Sequence, residues 1–399
     1  GASAIAIIMS MDFNAREKIE RFEFPVLIVI ATLGMLVMIS ANDLMSLYMG
    51  IELMSLSLYV TAAFRRDSIR STEAGLKYFV LGALASGMLL YGASLTYGFT
   101  GTTDFDQLAQ LFRSGETEIN IGIIFGIVFI LAGLAFKVSA VPFHMWLPDI
   151  YEGAPSPVTG FMSTVGKVAA FAVVLRLLMQ DLTTLAPIWW GSVAAVAVLT
   201  MGVGSLAALV QTNIKRMLAY SSIAHGGFLL LGLLAGGSDG LSSVMLYLLV
   251  FTLMNLGLFA VIVLLNQGAD RGEPIWDFSG LAKMHPGLAL ITLVFLLSLA
   301  GIPPTGGFFA KFYVLVALID SGQVALAVVA VLFSAVSAWF YLRIIMLMYM
   351  DDTDHPAKIL MTPALRVALA VTLIGTVLTG VLPAMFLDVA QAAARAGLG

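Results

Sequence analysis

The sequence contains no cysteine among its 399 residues, and only 11% of the residues are charged. Without cysteine the chain has no disulfide, no thiol nucleophile and no thiolate ligand for an iron–sulfur cluster. Its four histidines are scattered, and none is paired at i and i+4 to ligate haem or zinc. A net charge of −4 leaves no basic patch for nucleic acid. These absences predict a chain that carries out no redox chemistry by itself.

Apolar sequence is abundant instead. Hydrophobic residues make up 60% of the chain, and the mean hydropathy is +0.99. Windows of about 20 apolar residues, the length that crosses a bilayer as an α-helix, recur throughout. We therefore predict an all-α, polytopic membrane protein with about eleven transmembrane helices. The predicted helices cover residues 22–40, 44–63, 76–99, 120–145, 158–179, 187–210, 217–236, 241–266, 287–319, 324–350 and 364–387.

Four charged residues lie inside these apolar runs: Glu52, Lys137, Lys167 and Lys311. A lysine at the centre of a bilayer costs roughly 2.5 to 3.5 kcal/mol on insertion scales, so the four together cost on the order of 10 kcal/mol. Ionisable residues inside membrane helices usually belong to ion or substrate pathways. We interpret the four as functional.

The rival interpretation of a lysine in a membrane helix is that its ammonium reaches the bilayer surface. Lys167 is too central for that, whereas Lys311 could extend toward Asp320 if its helix broke early. Glu52 has the rival interpretation of a neutral, hydrogen-bonded structural carboxyl group.

Two further residues are weaker candidates. Lys77 follows Glu73 by four residues, and a surface ion pair within one helix would explain both. His225 is the only titratable group in the centre of its helix, and a lone histidine is often a core residue with satisfied hydrogen bonds. Serines 221 and 222 beside it favour a role in proton transfer.

Two predicted helices contain helix breakers. Pro142 follows Lys137 by five residues, and a Gly-Ile-Pro-Pro-Thr-Gly-Gly segment starting at Gly301 precedes Lys311. Irregular backbone at membrane depth occurs where it packs in protein or lines a wet cavity, and broken helices in matching positions are typical of inverted repeats. We therefore divide the chain into residues 1–21, the end of a truncated N-terminal helix with a cytoplasmic loop; 22–180 and 187–350, two inverted five-helix repeats; and 364–387, a closing helix.

Basic residues concentrate in one set of loops, which the positive-inside rule predicts to be cytoplasmic. They include Arg65, Arg70, Lys215, Arg271 and Lys358. The chain begins with Gly-Ala-Ser, and its first ten residues have the composition of the end of an apolar helix. We expect that an N-terminal portion precedes them; simple processing is the alternative.

The chemistry that suits such a set of residues is proton transfer. Burial disfavours the charged form of a lysine, so a buried lysine can exchange protons near neutral pH, and an approaching carboxylate restores the charge. We predict a proton path through Glu52, Lys137, Lys167, His225 and Lys311, with Lys77 as the weakest candidate beside it.

Two segments carry a resemblance to a known family. Residues 133–158, which include FKVSAVPFHMWLPD and YEGAPSPV, and residues 211–225, QTNIKRMLAYSSIAH, resemble the signature of the antiporter-like subunits of proton-pumping NADH:quinone oxidoreductase, complex I. The resemblance implies a fourteen-helix fold in the complete bacterial type. It further implies that Glu52 and Lys137 form the controlling pair, Lys167 the central relay, His225 a bridge and Lys311 the exit-side lysine.

The resemblance also implies that the chain has no cofactor of its own, because other subunits bind NADH, FMN, iron–sulfur clusters and quinone. The partners would be a neighbouring antiporter-like subunit, small membrane subunits and the lipid bilayer, in a bacterial inner membrane or alternatively a mitochondrial one. The acidic helix at Glu52, the lysine at position 311 and a chain that stops soon after Pro383 are similar to one branch of this family. Two alternatives remain: a subunit of a multi-subunit sodium/proton antiporter, and a non-conducting membrane scaffold.

Overall fold

The computed structural model describes residues 1–114, 120–266, 273–352 and 359–398. Within these ranges the chain is almost entirely helical, and its extended pairings are two isolated bridges. The predicted all-α fold class is therefore confirmed. The helices, numbered in chain order, are α1 (Ala2–Arg16), α2 (Glu23–Ser40), α3 (Leu44–Ala62), α4 (Ile69–Thr100), α5 (Phe105–Ser114), α6 (Ile121–Val138), α7 (Trp146–Gly153), α8 (Ser156–Gln180), α9 (Ala186–Leu209), α10 (Ile214–Ala235), α11 (Gly237–Leu265), α12 (Pro286–Ala300), α13 (Gly306–Asp320), α14 (Val324–Met350), α15 (Pro363–Val381) and α16 (Pro383–Leu398).

Ten helices in the described part of the chain are long and apolar enough to cross a membrane. They match ten of the predicted spans, and the remaining predicted span, 287–319, is the broken pair α12 and α13. The helix predicted over 364–387 ends earlier, at Val381, because Leu382 precedes a proline and takes a non-helical backbone conformation. The short helix α5 was not predicted, since it is amphipathic and lacks a long apolar run.

Both predicted helix breaks are present. Helix α6 ends at Val138, and the next residue, Ser139, has left-handed backbone angles (φ 61°, ψ 37°). Helix α12 ends at Ala300, and Gly301 likewise has φ 81° and ψ 41°. In each case the chain resumes as a second helix only after several irregular residues. The carbonyl groups at the end of each first half-helix are therefore left without a full set of helical partners.

Helix α10 is the centre of the bundle. Of its apolar window 94% is buried, against 28% for α14 at the periphery. In a membrane protein apolar burial does not by itself separate the inside from the outside, because lipid is as apolar as the core. The position of α10 matters because most of its side chains are enclosed by other helices of the protein.

Several features agree with two repeated units. Asp43 and Asn213 cap the second helix of each predicted unit through their side chains, and each also belongs to one of the isolated bridges. Gly34 and Gly204 are separated by the same number of residues as Asp43 and Asn213. A Cβ atom would lie 2.4 Å from a neighbouring backbone nitrogen at Gly34 and 2.5 Å at Gly204, so both let two helices approach closely. The domain boundaries themselves stay a prediction.

The basic loops predicted to share one side are partly described. Arg65, Arg70 and Lys215 line one cavity of about 850 Å³ and therefore lie at the same end of the bundle. Arg271 and Lys358 lie outside the described residues.

We expect Gly204→Ala to destabilise the protein by about 1 to 3 kcal/mol, because the new methyl group would overlap the backbone of α10. The thermal unfolding midpoint in detergent measures the effect. Gly191→Ala on the same helix is the control, since its Cβ would meet nothing within 4 Å. Equal midpoints for the two variants would contradict close glycine-mediated packing.

Candidate functional site

Four of the six candidate residues lie deep inside the protein. The exposed fractions are 8% for Lys137, 5% for Lys311 and 3% for both Lys167 and His225. Glu52 is half-buried, and its Oε1 atom is fully buried. Burying an ionisable side chain at membrane depth costs free energy, so the groups that stabilise each of these side chains indicate its role.

Lys137 and Glu52 are neighbours that are not paired. Lys137 donates a hydrogen bond of 2.7 Å to Ser55 Oγ. Ser55 follows Glu52 by three residues, so the two lie one turn apart on the same side of α3. No ion pair found among the described residues joins Lys137 to Glu52, whose buried Oε1 has no hydrogen-bond partner. The serine thus holds the ammonium beside the carboxylate without neutralising it.

Lys137 and Lys311 share one electrostatic feature, the end of a broken helix. Lys137 occupies the last turn of α6. Lys311 donates a 3.0 Å hydrogen bond to the carbonyl oxygen of Ala300, the last residue of α12. The C-terminus of a helix carries partial negative charge from its unpaired carbonyl groups. Each helix break therefore supplies a place that favours a lysine's positive charge.

Lys311 is also held by its other neighbours. Ser334 on α14 accepts a second hydrogen bond at 3.0 Å, and the ammonium lies 5.2 Å from the centroid of the Phe228 ring. The side chain passes directly over Gly301, where an added Cβ would be 2.8 Å from Lys311 Cδ. Glycine at position 301 thus serves both the left-handed backbone and the passage of this lysine.

Lys167 follows an irregular segment of α8. Residues Met162–Gly166 form a π-helical stretch, and Asn255 on α11 donates a 2.7 Å hydrogen bond to Ser163 within it. The Lys167 ammonium donates to Ser222 Oγ at 2.7 Å and to the Ser222 carbonyl oxygen. Isolated π-helical turns inside α-helices occur often at functional sites. Here the turn immediately precedes the side chain that reaches α10.

His225 lies between two tyrosines. Its Nδ1 atom is 2.7 Å from the hydroxyl oxygen of Tyr247, and its Nε2 atom is 3.1 Å from that of Tyr341. A neutral imidazole has one donor and one acceptor nitrogen, and a hydroxyl group can serve either. Tyr341 is also hydrogen-bonded to Ser221. His225 therefore has a polar partner on both sides of its ring.

Helix α10 connects these groups. Ser222 binds Lys167, His225 lies three residues further, and Phe228 contacts Lys311 after another three. Residues spaced by three follow one side of a helix. Among the candidate membrane spans in the described part of the chain, α10 is the most buried; it carries His225 and contacts Lys167 and Lys311.

Lys77 is not brought into this line. Its ammonium pairs with Glu73 at 2.7 Å and with Asp149 at 2.8 Å, and 42% of its side chain is exposed. Asp149 also pairs with Arg216, which in turn pairs with Glu152. These pairs form an ionic network that connects α4, α7 and α10 at one end of the bundle. A role of Lys77 in proton transfer stays a prediction.

The sequence interpretation did not single out Ser55, Ser334, Tyr247 or Tyr341. Ser55 could have been found from its position one turn after Glu52. The other three lie on helices without a buried charge, and only the tertiary arrangement shows which ionisable group each one reaches.

This arrangement can hold protons and pass them on. Three amines and an imidazole are at most 8% exposed, and each is hydrogen-bonded to a hydroxyl group on another helix. Hydroxyl groups donate and accept at once, as a proton path requires. In the ranges that the structure describes, no group of three or more histidine or acidic side chains could hold a metal ion.

Comparison with known proteins agrees with this fold. The family described as "NADH:quinone oxidoreductase/Mrp antiporter, TM" matches residues 41–337. The chain belongs to this family of membrane subunits. The resemblance inferred from the motifs around Lys137 and His225 is thereby confirmed.

The similar relatives carry a more specific name. NADH-quinone oxidoreductase subunit N 2 of Rhizobium meliloti is 51% identical over 396 residues, covering 99% of this chain and 82% of the relative. NADH-quinone oxidoreductase subunit N of Rhodospirillum rubrum is 52% identical over 394 residues, covering 99% and 81%.

Solved structures show the same fold. A chain of respiratory complex I from Thermus thermophilus with bound aureothin has a TM-score of 0.80 at 34% identity, covering 96% of this chain and 85% of that one. A chain of the Mrp complex from Dietzia sp. has a TM-score of 0.87 at 24% identity, covering 100% and 84%.

We expect Gly301→Ala to lower stability more than Gly322→Ala. Both glycines have positive φ, 81° and 79°, so alanine costs each variant about 1 to 2 kcal/mol of backbone strain. Only at position 301 would the methyl group also displace Lys311 from the end of α12, because a Cβ on Gly322 meets nothing within 4 Å. Thermal midpoints of the two variants measure the difference. A Gly322 variant as unstable as the Gly301 variant would show that Lys311 does not depend on this contact.

Proposed function

We propose that this chain is a proton-translocating subunit of the membrane arm of an NADH:quinone oxidoreductase in a bacterial inner membrane. The observation that carries the proposal is the row of buried proton-holding groups, each hydrogen-bonded to a group on a neighbouring helix. Relatives named NADH-quinone oxidoreductase subunit N, at 51% and 52% identity over nearly the whole chain, support the assignment to that complex.

Protons move along this row by transfer between neighbouring groups. Lys137, Lys167 and Lys311 are the storage sites, and His225 lies between the last two. Each lysine is stabilised by an acceptor that does not neutralise it, a serine hydroxyl or a helix-end carbonyl. Because no carboxylate among the described residues forms an ion pair with any of them, each amine can lose its proton without leaving a buried carboxylate alone.

In this proposal Glu52 controls whether Lys137 holds its proton. Two opposite charges interact by about 4 kcal/mol at 4 Å in a medium of effective dielectric constant 20, and by about half of that at twice the distance. A change of roughly 1.4 kcal/mol alters the proton occupancy of a group tenfold. Moving Glu52 by one hydrogen-bond step toward Lys137 is therefore enough to make that lysine hold its proton. The Lys137 ammonium donates instead to Ser55.

The chain has no cysteine and therefore no thiolate ligand for an iron–sulfur cluster. In this proposal the energy for the cycle comes from elsewhere in the complex. In this proposal other subunits bind NADH, FMN, iron–sulfur clusters and quinone, and quinone reduction there drives the movement at Glu52. Lys311, at the far end of the row, is the exit side.

The test replaces Lys167 by methionine, which keeps the length of the side chain and removes the titratable group. We expect NADH-driven proton translocation by the complex in vesicles to fall by about tenfold or more, because a positioned proton-transfer group contributes 10² to 10⁴ in rate. Lys137→Met, Lys311→Met and Glu52→Gln should act in the same direction. A pH-sensitive dye inside the vesicles reports translocation while NADH oxidation is followed in parallel.

Lys283→Met is the matched control, because this lysine is 59% exposed and pairs with Asp352 at the surface. It loses the same charge outside the row and should translocate normally. Normal translocation by Lys167→Met and Lys311→Met in fully assembled complex would favour a non-conducting scaffold and contradict the proposal.

A further inference from the structure

His225 and Lys311 are consecutive in the proposed path, but they are not bonded to each other. The hydrogen-bond partners of His225 are Tyr247 and Tyr341. Lys311 donates to the carbonyl oxygen of Ala300 and to Ser334. Both therefore have one partner on the same helix, α14, which the sequence interpretation treated as a plain membrane span.

Helix α14 carries three hydroxyl groups on one side. Ser334 binds Lys311 on α13, Ser337 lies 2.9 Å from Ser205 on α9, and Tyr341 binds His225 and Ser221 on α10. The spacings of three and four residues place all three on one face of the helix. We call these three residues the α14 hydroxyl row.

The opposite face of α14 is apolar and exposed to the surroundings of the protein. Leu332 is 62% exposed and Trp339 57%, whereas Ser337 is 4% and Tyr341 1% exposed. A serine in a membrane helix can satisfy itself by bonding to a carbonyl of the preceding turn, as Ser337 does with Phe333. A hydrogen bond within the same helix does not explain why all three hydroxyl groups also contact polar partners on three other helices.

The spacing of the row suits proton transfer. With a rise of 1.5 Å per residue, Ser334 and Ser337 are about 4.5 Å apart along the helix axis, and Ser337 and Tyr341 about 6 Å. One bridging water molecule can join polar atoms across each interval. The row thus extends along α14 from the residue that binds Lys311 to the residue that binds His225.

We propose that the α14 hydroxyl row, with Tyr341 as its junction, carries protons between His225 and Lys311. The inference rests on the function proposed above and adds named residues to it. Tyr341 accepts a proton from His225 Nε2 while its own hydroxyl proton leaves toward Ser337. Ser337 and then Ser334 each accept a proton and release one, with one bridging water molecule in each interval. The proton ends on the unprotonated amine of Lys311. Each hydroxyl group accepts one proton and releases one, so only His225 and Lys311 change charge.

The test is Tyr341→Phe in the complete complex, which removes the hydroxyl group and keeps the buried ring. Tyr349→Phe on the same helix is the matched control, because Tyr349 is 41% exposed and lies outside the row. We expect Tyr341→Phe to lower NADH-driven proton translocation by about tenfold or more, because one positioned proton-transfer group contributes about 10² to 10⁴ in rate. The ratio of translocation rates in H₂O and D₂O should rise, which a purely structural defect would not cause. Tyr349→Phe should change neither.

A second pair of variants applies if Tyr341→Phe reduces the amount of assembled complex. Ser337→Ala removes the middle hydroxyl group of the row, and Ser337→Thr keeps it. Loss of translocation in the alanine variant with recovery in the threonine variant supports the row, and equal rates in the two overturn it.

Lys311→Met, measured in the same vesicles, separates this inference from the proposed function. If Lys311→Met loses translocation while Tyr341→Phe and Ser337→Ala translocate normally with an unchanged isotope ratio, the α14 row is overturned and the function stands. If Lys311→Met itself translocates normally, the proposed function fails, and the inference fails with it.

Discussion

An ammonium group inside a membrane needs a partner, and the choice of partner decides what the group can do. A fixed carboxylate would stabilise the charge so well that the proton could not leave. No partner at all would make the charged form too costly to occur. The buried lysines follow a middle course, bonded to hydroxyl groups and to carbonyl groups at helix ends. The helix breaks and the position of α10 both serve this arrangement.

The two broken helices illustrate how backbone supplies such partners. An unbroken helix uses its interior carbonyl groups in its own hydrogen bonds, whereas a helix end leaves carbonyl groups without a helical partner and free to accept from a cation. Ending α6 at Val138 and α12 at Ala300 places the negative end of a helix dipole in the interior. A lysine lies at each of these ends. Lys137 belongs to the first half-helix, α6, whereas Lys311 belongs to the second half-helix, α13. The two broken helices thus reach a similar electrostatic result by different placement of the side chain.

Much of the fold was predictable from the sequence, because length and apolarity suffice to locate membrane helices, and proline and glycine locate their breaks. The same holds for Lys137, Lys167 and Lys311, since an isolated charge in an apolar run is conspicuous. Ser334, Ser337 and Tyr341 could not be recognised in this way. Hydroxyl groups are common in membrane helices, and only packing decides whether they face lipid or a lysine. The division of 364–387 was missed because composition stays apolar across Leu382 while the backbone does not stay helical.

The ionic network around Asp149 has a consequence for how the bundle is held together. It joins α4, α7 and α10 at one end of the bundle, next to the irregular segment between α6 and α7. These three helices are therefore held to one another by charge as well as by apolar packing. Because salt screens partly exposed ion pairs more than buried contacts, raising the ionic strength weakens this end of the bundle more than the buried contacts along α10.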